Sequence, residues 1–188
     1  MKLNLGCGGD KRPGWINVDK YPDFAPDQVA DLEALPWPWA DDSVDEVMLR
    51  HVLEHLGQSS DLYLGIIKEL WRVCRDGALV TIVVPHPRHD SYLNDPTHVR
   101  PITPAGLELF SQAKNREWRE KGIANSALGL AHGIDFAIER VDMRPDDVWA
   151  KRVSSGQITT AQLAEAARQF NNVISEMTIR WRAVKKRP

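Results

Sequence analysis

Apolar and polar positions along the chain fall into short blocks separated by breakers. Lys2 to Leu5 is a brief apolar segment stopped by Gly6, and Trp15 to Asp19 (WINVD), Gln28 to Asp31 (QVAD) and Val44 to Leu49 (VDEVML) are three more segments of strand length. Ala78 to Val84 (ALVTIVV) is a continuous run rich in β-branched residues, the pattern of a strand covered on both faces. Between the fourth and fifth segments, Leu62, Ile66, Ile67, Leu70, Trp71 and Cys74 recur at three- and four-residue steps, which gathers them on one helical face. Ser59 or Ser60 supplies the N-cap, and Gly77 lies just past the expected end. A helix feeding such a strand predicts a right-handed parallel crossover.

Beyond the fifth strand the pattern loosens. Residues 86–104 hold Pro87, Pro96, Pro101 and Pro104 and read as a long ordered loop, a length that usually marks function. Pro104 to about Gly122 reads as a polar amphipathic helix, and Gly129 and Gly133 mark turns. Ile134 to Arg144, a helix near Thr160 to Phe170, and the alternating segment Ser175 to Lys185 then close the chain as strand, helix, strand. The expected architecture is α/β: a Rossmann-like, doubly wound, seven-stranded, mostly parallel sheet with an antiparallel final strand.

Composition narrows the class. At 188 residues the chain can bury roughly 70% of its unfolded surface, enough for one core and too short for a second full domain. Hydrophobic residues at 43% and charged residues at 27% are those of a soluble globular protein, and no apolar run is long enough to cross a bilayer. Lys2-Leu3-Asn4-Leu5 leaves no room for a secretory apolar region before the first glycines, so a cytoplasmic location is expected. Cys7 and Cys74 make neither a disulfide scaffold nor a four-thiolate zinc site and are expected free. Residues 1–100 carry 10 basic and 16 acidic side chains, and 101–188 carry 14 and 10. No basic stripe interleaved with aromatics precedes the tail Lys185-Lys186-Arg187, so no nucleic-acid partner and no membrane association are expected. The positive second half is a weak pointer to an acidic or phosphorylated substrate. Oligomeric state is not readable.

Candidate chemistry begins at LNLGCGG, residues 3–9. Glycines directly after the first strand of a doubly wound sheet let backbone approach a ligand that a Cβ would push away. Asp19 ends the second strand and can accept hydrogen bonds from both hydroxyls of a ribose, and Asp31 ends the third, one strand nearer an adenine edge. A nicotinamide dinucleotide needs a third glycine, a helix N-terminus for its pyrophosphate and an acid about 20 residues on. Here Lys11 stands in the third-glycine position, and Asp19 follows Gly6 by only 13 residues, which include Arg12-Pro13-Gly14. A nucleoside ligand without phosphate suits that loop, and S-adenosyl-L-methionine is one.

The succession LNLGCGG, GWINVD, DLEALPWPWADDSVDEVMLRHVLEHL and ELWRVCRDGALVTIVVP, over residues 3 to about 104, resembles the class I S-adenosylmethionine-dependent methyltransferases, specifically the small type 11 group. The resemblance implies S-adenosyl-L-methionine as cofactor and a small-molecule or glycan-like acceptor methylated at oxygen or nitrogen. It implies that Gly6, Cys7 and Gly8 lie under the methionyl part, that Asp19 with its neighbour Lys20 holds the ribose, that Asp31 and Leu32 meet the adenine, and that Arg50 and His51 border the sulfonium. It also implies one methyltransferase domain over residues 1–188, with 1–104 as the cofactor-binding core and 105–188 as acceptor-side helices and final strands. The chain departs from the group's pattern in lacking a helix before the first strand, in losing the first crossover helix, and in reading Arg75-Asp76-Gly77 before the fifth strand. A binding module for the cofactor or its demethylated product, without activity, is one alternative, and a nicotinamide oxidoreductase another.

Two further stretches carry candidate side chains. HVLEHL, residues 51–56, places His51, Glu54 and His55 in the order of the inverted zinc metallopeptidases. That chemistry needs both histidines on an uninterrupted helix, and Gly57 follows almost at once, so local capping and packing beside the cofactor is the expected role. In PHPRHDSYLNDPTHVRPITP, residues 85–104, His86 follows the fifth strand and is expected to face the pocket, while Asp95-Pro96-Thr97-His98 resembles a recurrent element of the group. His86, His98 and Asp95 are therefore the candidate proton acceptors, with shaping of the loop as the other reading of His98 and Asp95. His86, His89 and His98 match no standard ligand spacing, and no metal is expected. Trp37 and Trp39 flank the expected adenine edge or cover the sheet edge, and Trp71 belongs to the core.

Overall fold

The computed structural model describes residues 1–185. Lys186 and Arg187 of the basic tail lie outside the described residues. The seven strands are β1 (Lys2–Leu5), β2 (Ile16–Asp19), β3 (Gln28–Val29), β4 (Val44–Arg50), β5 (Cys74–Pro85), β6 (Phe136–Pro145) and β7 (Ile174–Ala183), in the order β3-β2-β1-β4-β5-β7-β6. The first five run parallel, and β7 is inserted antiparallel between β5 and β6. The edge strands are thus β3 and β6, and the final strand is an interior one. That position agrees with burial: Met177, Ile179 and Trp181 are buried, and the Trp181 ring stacks on Phe136 at 4.0 Å and meets Phe110 edge-on at 5.9 Å.

Helix α1 (Ser60–Val73) forms as its periodicity implies, with Ser59 Oγ accepting from the Leu62 N–H at 3.2 Å. It ends earlier than expected. Strand β5 begins at Cys74, and Gly77 lies inside it with φ of +74°, where the register against β4 jumps between Val44↔Cys74 and Glu46↔Leu79. Gly77 therefore serves an irregularity of the strand rather than a helix cap. Connections β1–β2 and β3–β4 contain turns only, and β2–β3 contains a single 3-10 turn, Pro22–Phe24. The loss of the first crossover helix, expected from Arg12-Pro13-Gly14, is what the structure has.

The second half is more broken than its pattern suggested. Short helix α2 (Asp90–Leu93) interrupts the proline-rich loop, and the expected helix after Pro104 is split into α3 (Pro104–Glu108) and α4 (Gln112–Glu120). The split follows from Ser111, whose hydroxyl accepts from the Lys114 N–H at 3.3 Å and starts a new helix. Helices α5 (Leu128–His132) and α6 (Asp147–Ser154) had no periodic signal at their length, and α7 (Thr160–Gln169) sits where expected behind a Thr159/Gln162 capping box. No helix among the described residues is long and apolar enough to cross a membrane.

Residues 30–43 cover the β3 side of the sheet without a helix, and one cation organises them. The Arg72 guanidinium donates to Trp37 O (3.1 Å), Trp39 O (2.9 Å), Asp41 Oδ1 (2.6 Å) and, in bidentate fashion, both oxygens of Glu69 (2.8 and 2.7 Å). Glu69 in turn accepts the Trp37 N–H at 2.6 Å. Trp37 and Trp39 are buried against the sheet edge, 5.7 Å apart edge to face, and Trp71 is only partly buried, with its Nε1–H donated to Asp135 O.

Arg72→Ala strands the Glu69 carboxylate and two carbonyls and is expected to lower unfolding free energy by about 2 kcal/mol in urea titration. A loss under about 0.5 kcal/mol would contradict an organising role. The guanidinium of Arg72 holds the Glu69 carboxyl below the usual carboxylate range. Its contribution is therefore full above the ordinary glutamate pKa and falls away as pH drops through the lower folded value.

Candidate functional site

Parallel strands bring their carboxyl ends to one edge of the sheet, and the side chains with chemistry gather there. β1 ends at Leu5, and the following loop turns through Gly6 (φ +63°) and Gly8 (φ +47°). A Cβ on Gly6 would stand 2.4 Å from Val52 Cγ2, so this loop packs against the segment after β4 only as glycine, whereas a Cβ on Gly8 would meet nothing within 4 Å. The Gly8 N–H donates to Asp19 Oδ2 at 2.8 Å, and the Tyr21 N–H donates to Asp19 Oδ1 at 2.9 Å. Asp19, 7% exposed, ties the glycine loop to the end of β2 and keeps lone pairs on both oxygens for a ligand.

One strand further out, Asp31 Oδ1 accepts from the Glu33 N–H at 2.9 Å, and Trp37 Nε1–H fixes Leu32 O at 2.9 Å. A cavity of about 420 Å³ lies over these ends, lined by Gly6, Gly8, Asp19, Lys20, Asp31, Leu32 and His51 among the residues expected there. Cys7 and Arg50 do not line it. The Cys7 side chain is buried, which together with the charge of Asp19 pushes its thiol pKa up, and its N–H bonds Val18 O at 2.9 Å. Arg50 turns to Glu176 at 3.8 Å. Sequence reasoning missed Tyr21, Phe24, Glu33, Val52, Leu56 and Thr97 in the same wall. The aromatic pair just after Asp19 was the available signal; Thr97 stood in the Asp95-Pro96-Thr97-His98 element, but its place in this wall was not legible because it arrives from a distant loop.

A second cavity of about 450 Å³ adjoins the first, and His51 and His55 line both. Its other walls include Asp95 and His98 as expected, and His89, Arg144, Asp146, Asp147, Ser175 and Glu176, which were not. The last five are reached because β6 ends and β7 begins at this edge, Arg144 pairing with Glu176 in register. His86 was expected on the wall and is not there. Its Nδ1 accepts from the Arg88 N–H at 3.2 Å in a local turn, and burial with neighbouring Arg88 and His89 lowers its pKa.

The histidine geometry is specific. His51 adopts φ of +53°, with Nδ1 3.5 Å from Glu54 Oε1 and Nε2 3.0 Å from Glu176 Oε2. The Glu54 carboxylate, aided by Glu176, raises its pKa despite half burial. His55 Nδ1 lies 2.9 Å from Thr97 Oγ1, and His98 Nδ1 lies 2.7 Å from Tyr92 O, with the His98 ring stacked on Tyr92 at 5.0 Å. His98 Nε2 is 3.9 Å from Asp95 Oδ2. Leu53–His55 is a lone 3-10 turn, so no helix presents His51 and His55 together as a metallopeptidase requires.

Residues 8–82 match the family model described as a methyltransferase domain. That stretch of the chain is similar to a methyltransferase domain. Solved structures share its fold. An S-adenosylmethionine-dependent methyltransferase from Archaeoglobus fulgidus superposes with a TM-score of 0.62 at 16% identity, covering 96% of this chain and 85% of that one. One from Methanosarcina mazei gives 0.55 at 14% identity, covering 98% and 92%. The [4+2]-cyclase SpnF gives 0.56 at 13%, covering 98% and 75%, so the same fold also carries other chemistry. No curated protein matches the chain.

The cofactor named for the similar solved methyltransferases is S-adenosylmethionine. The residues present fit it. The buried Asp19 carboxylate keeps lone pairs for ribose hydroxyls, Gly8 leaves open space where a side chain would intrude, and the glycine loop runs through turns with no helix N-terminus to seat a phosphate. Asp19→Ala is expected to weaken calorimetric binding of the cofactor by about 1.5 to 3 kcal/mol, the worth of hydrogen bonds to a charged group. Unchanged affinity would place the nucleoside elsewhere.

Proposed function

We propose that this chain is a cytoplasmic S-adenosyl-L-methionine-dependent methyltransferase that methylates an oxygen or nitrogen of a small, hydroxyl-bearing or glycan-like acceptor held in the second cavity. The observation that carries the reading is the junction itself: two cavities of nucleoside and small-molecule size meet at His51 and His55. When bound, the cofactor supplies an electrophilic methyl group on a sulfonium. On this reading Gly6, Gly8 and the backbone of Cys7 carry the methionyl part, Asp19 and Lys20 the ribose, and Asp31 and Leu32 the adenine. His51, with Arg50 behind it, borders the sulfonium.

Methyl transfer from sulfonium disperses charge rather than creating it, so these residues act mainly by alignment. An O–H or N–H acceptor must still lose a proton. His98 suits that need: its Nδ1–H is committed to Tyr92 O, which leaves the Nε2 lone pair on the acceptor side, beside Asp95. His86 plays no such part from its turn. Residues 105–188 serve the acceptor, contributing Arg144, Asp146, Asp147, Ser175 and Glu176. Four carboxylates, Asp95, Asp146, Asp147 and Glu176, against one arginine favour hydroxyl or ammonium groups over the phosphorylated substrate that the positive second half had pointed to.

The reading of an inactive binding module draws on the missing crossover helices. The polar cavity next to His51 and His55 argues for the enzyme, since a module that only bound the cofactor has no use for it. The test is incubation with S-adenosyl-L-methionine and a panel of sugars, amines and phenols, with methylated product followed by mass spectrometry. His98→Ala is expected to lower turnover about 100-fold while cofactor affinity stays within about threefold. Equal loss of both would assign His98 to shaping the loop.

A further inference from the structure

The geometry points to a divalent transition-metal site formed by the buried Glu54 with His55 and His98, two residues that line the second cavity. One ligand atom from each of the three lies within 4.8 Å of the others. The hydrogen-bond network fixes which ring nitrogen of each histidine is free for an ion. The Thr97 hydroxyl donates to Asp95 Oδ1 at 2.6 Å, so it has only lone pairs to offer His55, and the hydrogen between them sits on His55 Nδ1. Tyr92 O is a carbonyl, so the hydrogen on that contact sits on His98 Nδ1. Both imidazoles therefore present an Nε2 lone pair. A metal-binding histidine characteristically donates its other ring N–H to a carbonyl or to a carboxylate-linked partner in this way.

Glu54 supplies the independent observation. It is 0% exposed, and neither carboxylate oxygen has a hydrogen-bond partner among the described residues. Its nearest cationic neighbour, His51 Nδ1, stands 3.5 Å away and outside hydrogen-bonding geometry. A buried carboxylate left in that state is costly, and a cation between it and two imidazoles removes the cost. Two nitrogens and one carboxylate form the donor set of open catalytic sites for zinc and other first-row divalent ions, and the nitrogens disfavour magnesium and calcium. Ligand atoms on one such ion stand about 3.0 to 3.5 Å apart, a spacing within reach of side-chain adjustment from groups already within 4.8 Å of one another.

The site departs from the sequence expectation of no metal. It also differs from the metallopeptidase pattern, because His98 from the proline-rich loop replaces His51. Its role, which rests on the function proposed above, is to hold the acceptor's donor atom and lower its pKa beside the methyl group. With the ion bound, the His98 Nε2 lone pair given above to the acceptor's proton goes to the metal instead, and Asp95, 3.9 Å from it, takes the proton.

Chelator-stripped full-length protein titrated with Zn²⁺ by calorimetry, and with Co²⁺ by visible absorption, is expected to bind one ion per chain. His98→Ala and His55→Ala should each weaken Zn²⁺ binding at least about tenfold, and His132→Ala, on the remote α5, should leave it unchanged. Glu54→Gln preserves shape, so it should keep or raise the metal-free melting temperature while losing at least about tenfold in Zn²⁺ affinity, a combination that a purely structural glutamate would not give. Absence of saturable binding, or affinity indifferent to these three residues, overturns the site. Cofactor binding measured on the same samples separates the two readings: cofactor bound without metal removes only the metal site, and metal bound without cofactor removes the function proposed above.

Discussion

The hydrogen bond from the Gly8 N–H to the buried Asp19 carboxylate is the contact on which the rest of the site depends. With no helix between β1 and β2, the crossover is held to the strands by this bond, by Cys7 N–H on Val18 O, and by two strand asparagines: Asn4 donates to Asp10 O at 2.7 Å and Asn17 Oδ1 accepts from the Arg12 N–H at 2.8 Å. A carboxylate that shapes the loop and still keeps lone pairs for a ribose couples local folding to ligand recognition in one side chain. That economy explains how a crossover of turns can stand where a helix usually does.

The acceptor side has a different origin. Because β7 enters antiparallel between β5 and β6, its first residues meet the carboxyl ends of the parallel strands, opposite Pro85. The end of β6 arrives at the same edge by pairing with β7, bringing Arg144 and Asp146 beside Glu176. The loop after β5 folds over this edge, with Arg100 stacked on Tyr63 at 4.1 Å and the Val99 N–H bonded to Glu54 O. A first cavity built from local strand ends thus meets a second assembled from residues far apart in sequence.

That difference sets how much could be read from the chain alone. The segments ending in Gly6, Asp19 and Asp31 announce both their strands and their chemistry, because a parallel strand followed by a functional residue is a local pattern. The pairing of β7 with β5, the turn that takes His86 off the cavity, and the meeting of Glu54 with His98 depend on tertiary approach, which periodicity does not encode. Helices α2, α5 and α6 were missed for a related reason: at four, five and eight residues they are too short to show a period, and capping plus packing decides them.

The most direct test of the account is a crystal structure of the full chain with S-adenosylhomocysteine. The account predicts the ribose hydroxyls on the two oxygens of Asp19, the adenine beside Leu32, and the sulfur facing the junction at His51 and His55. A nucleoside seated away from Asp19, or crystals in which this cleft excludes it at saturating ligand, would contradict it.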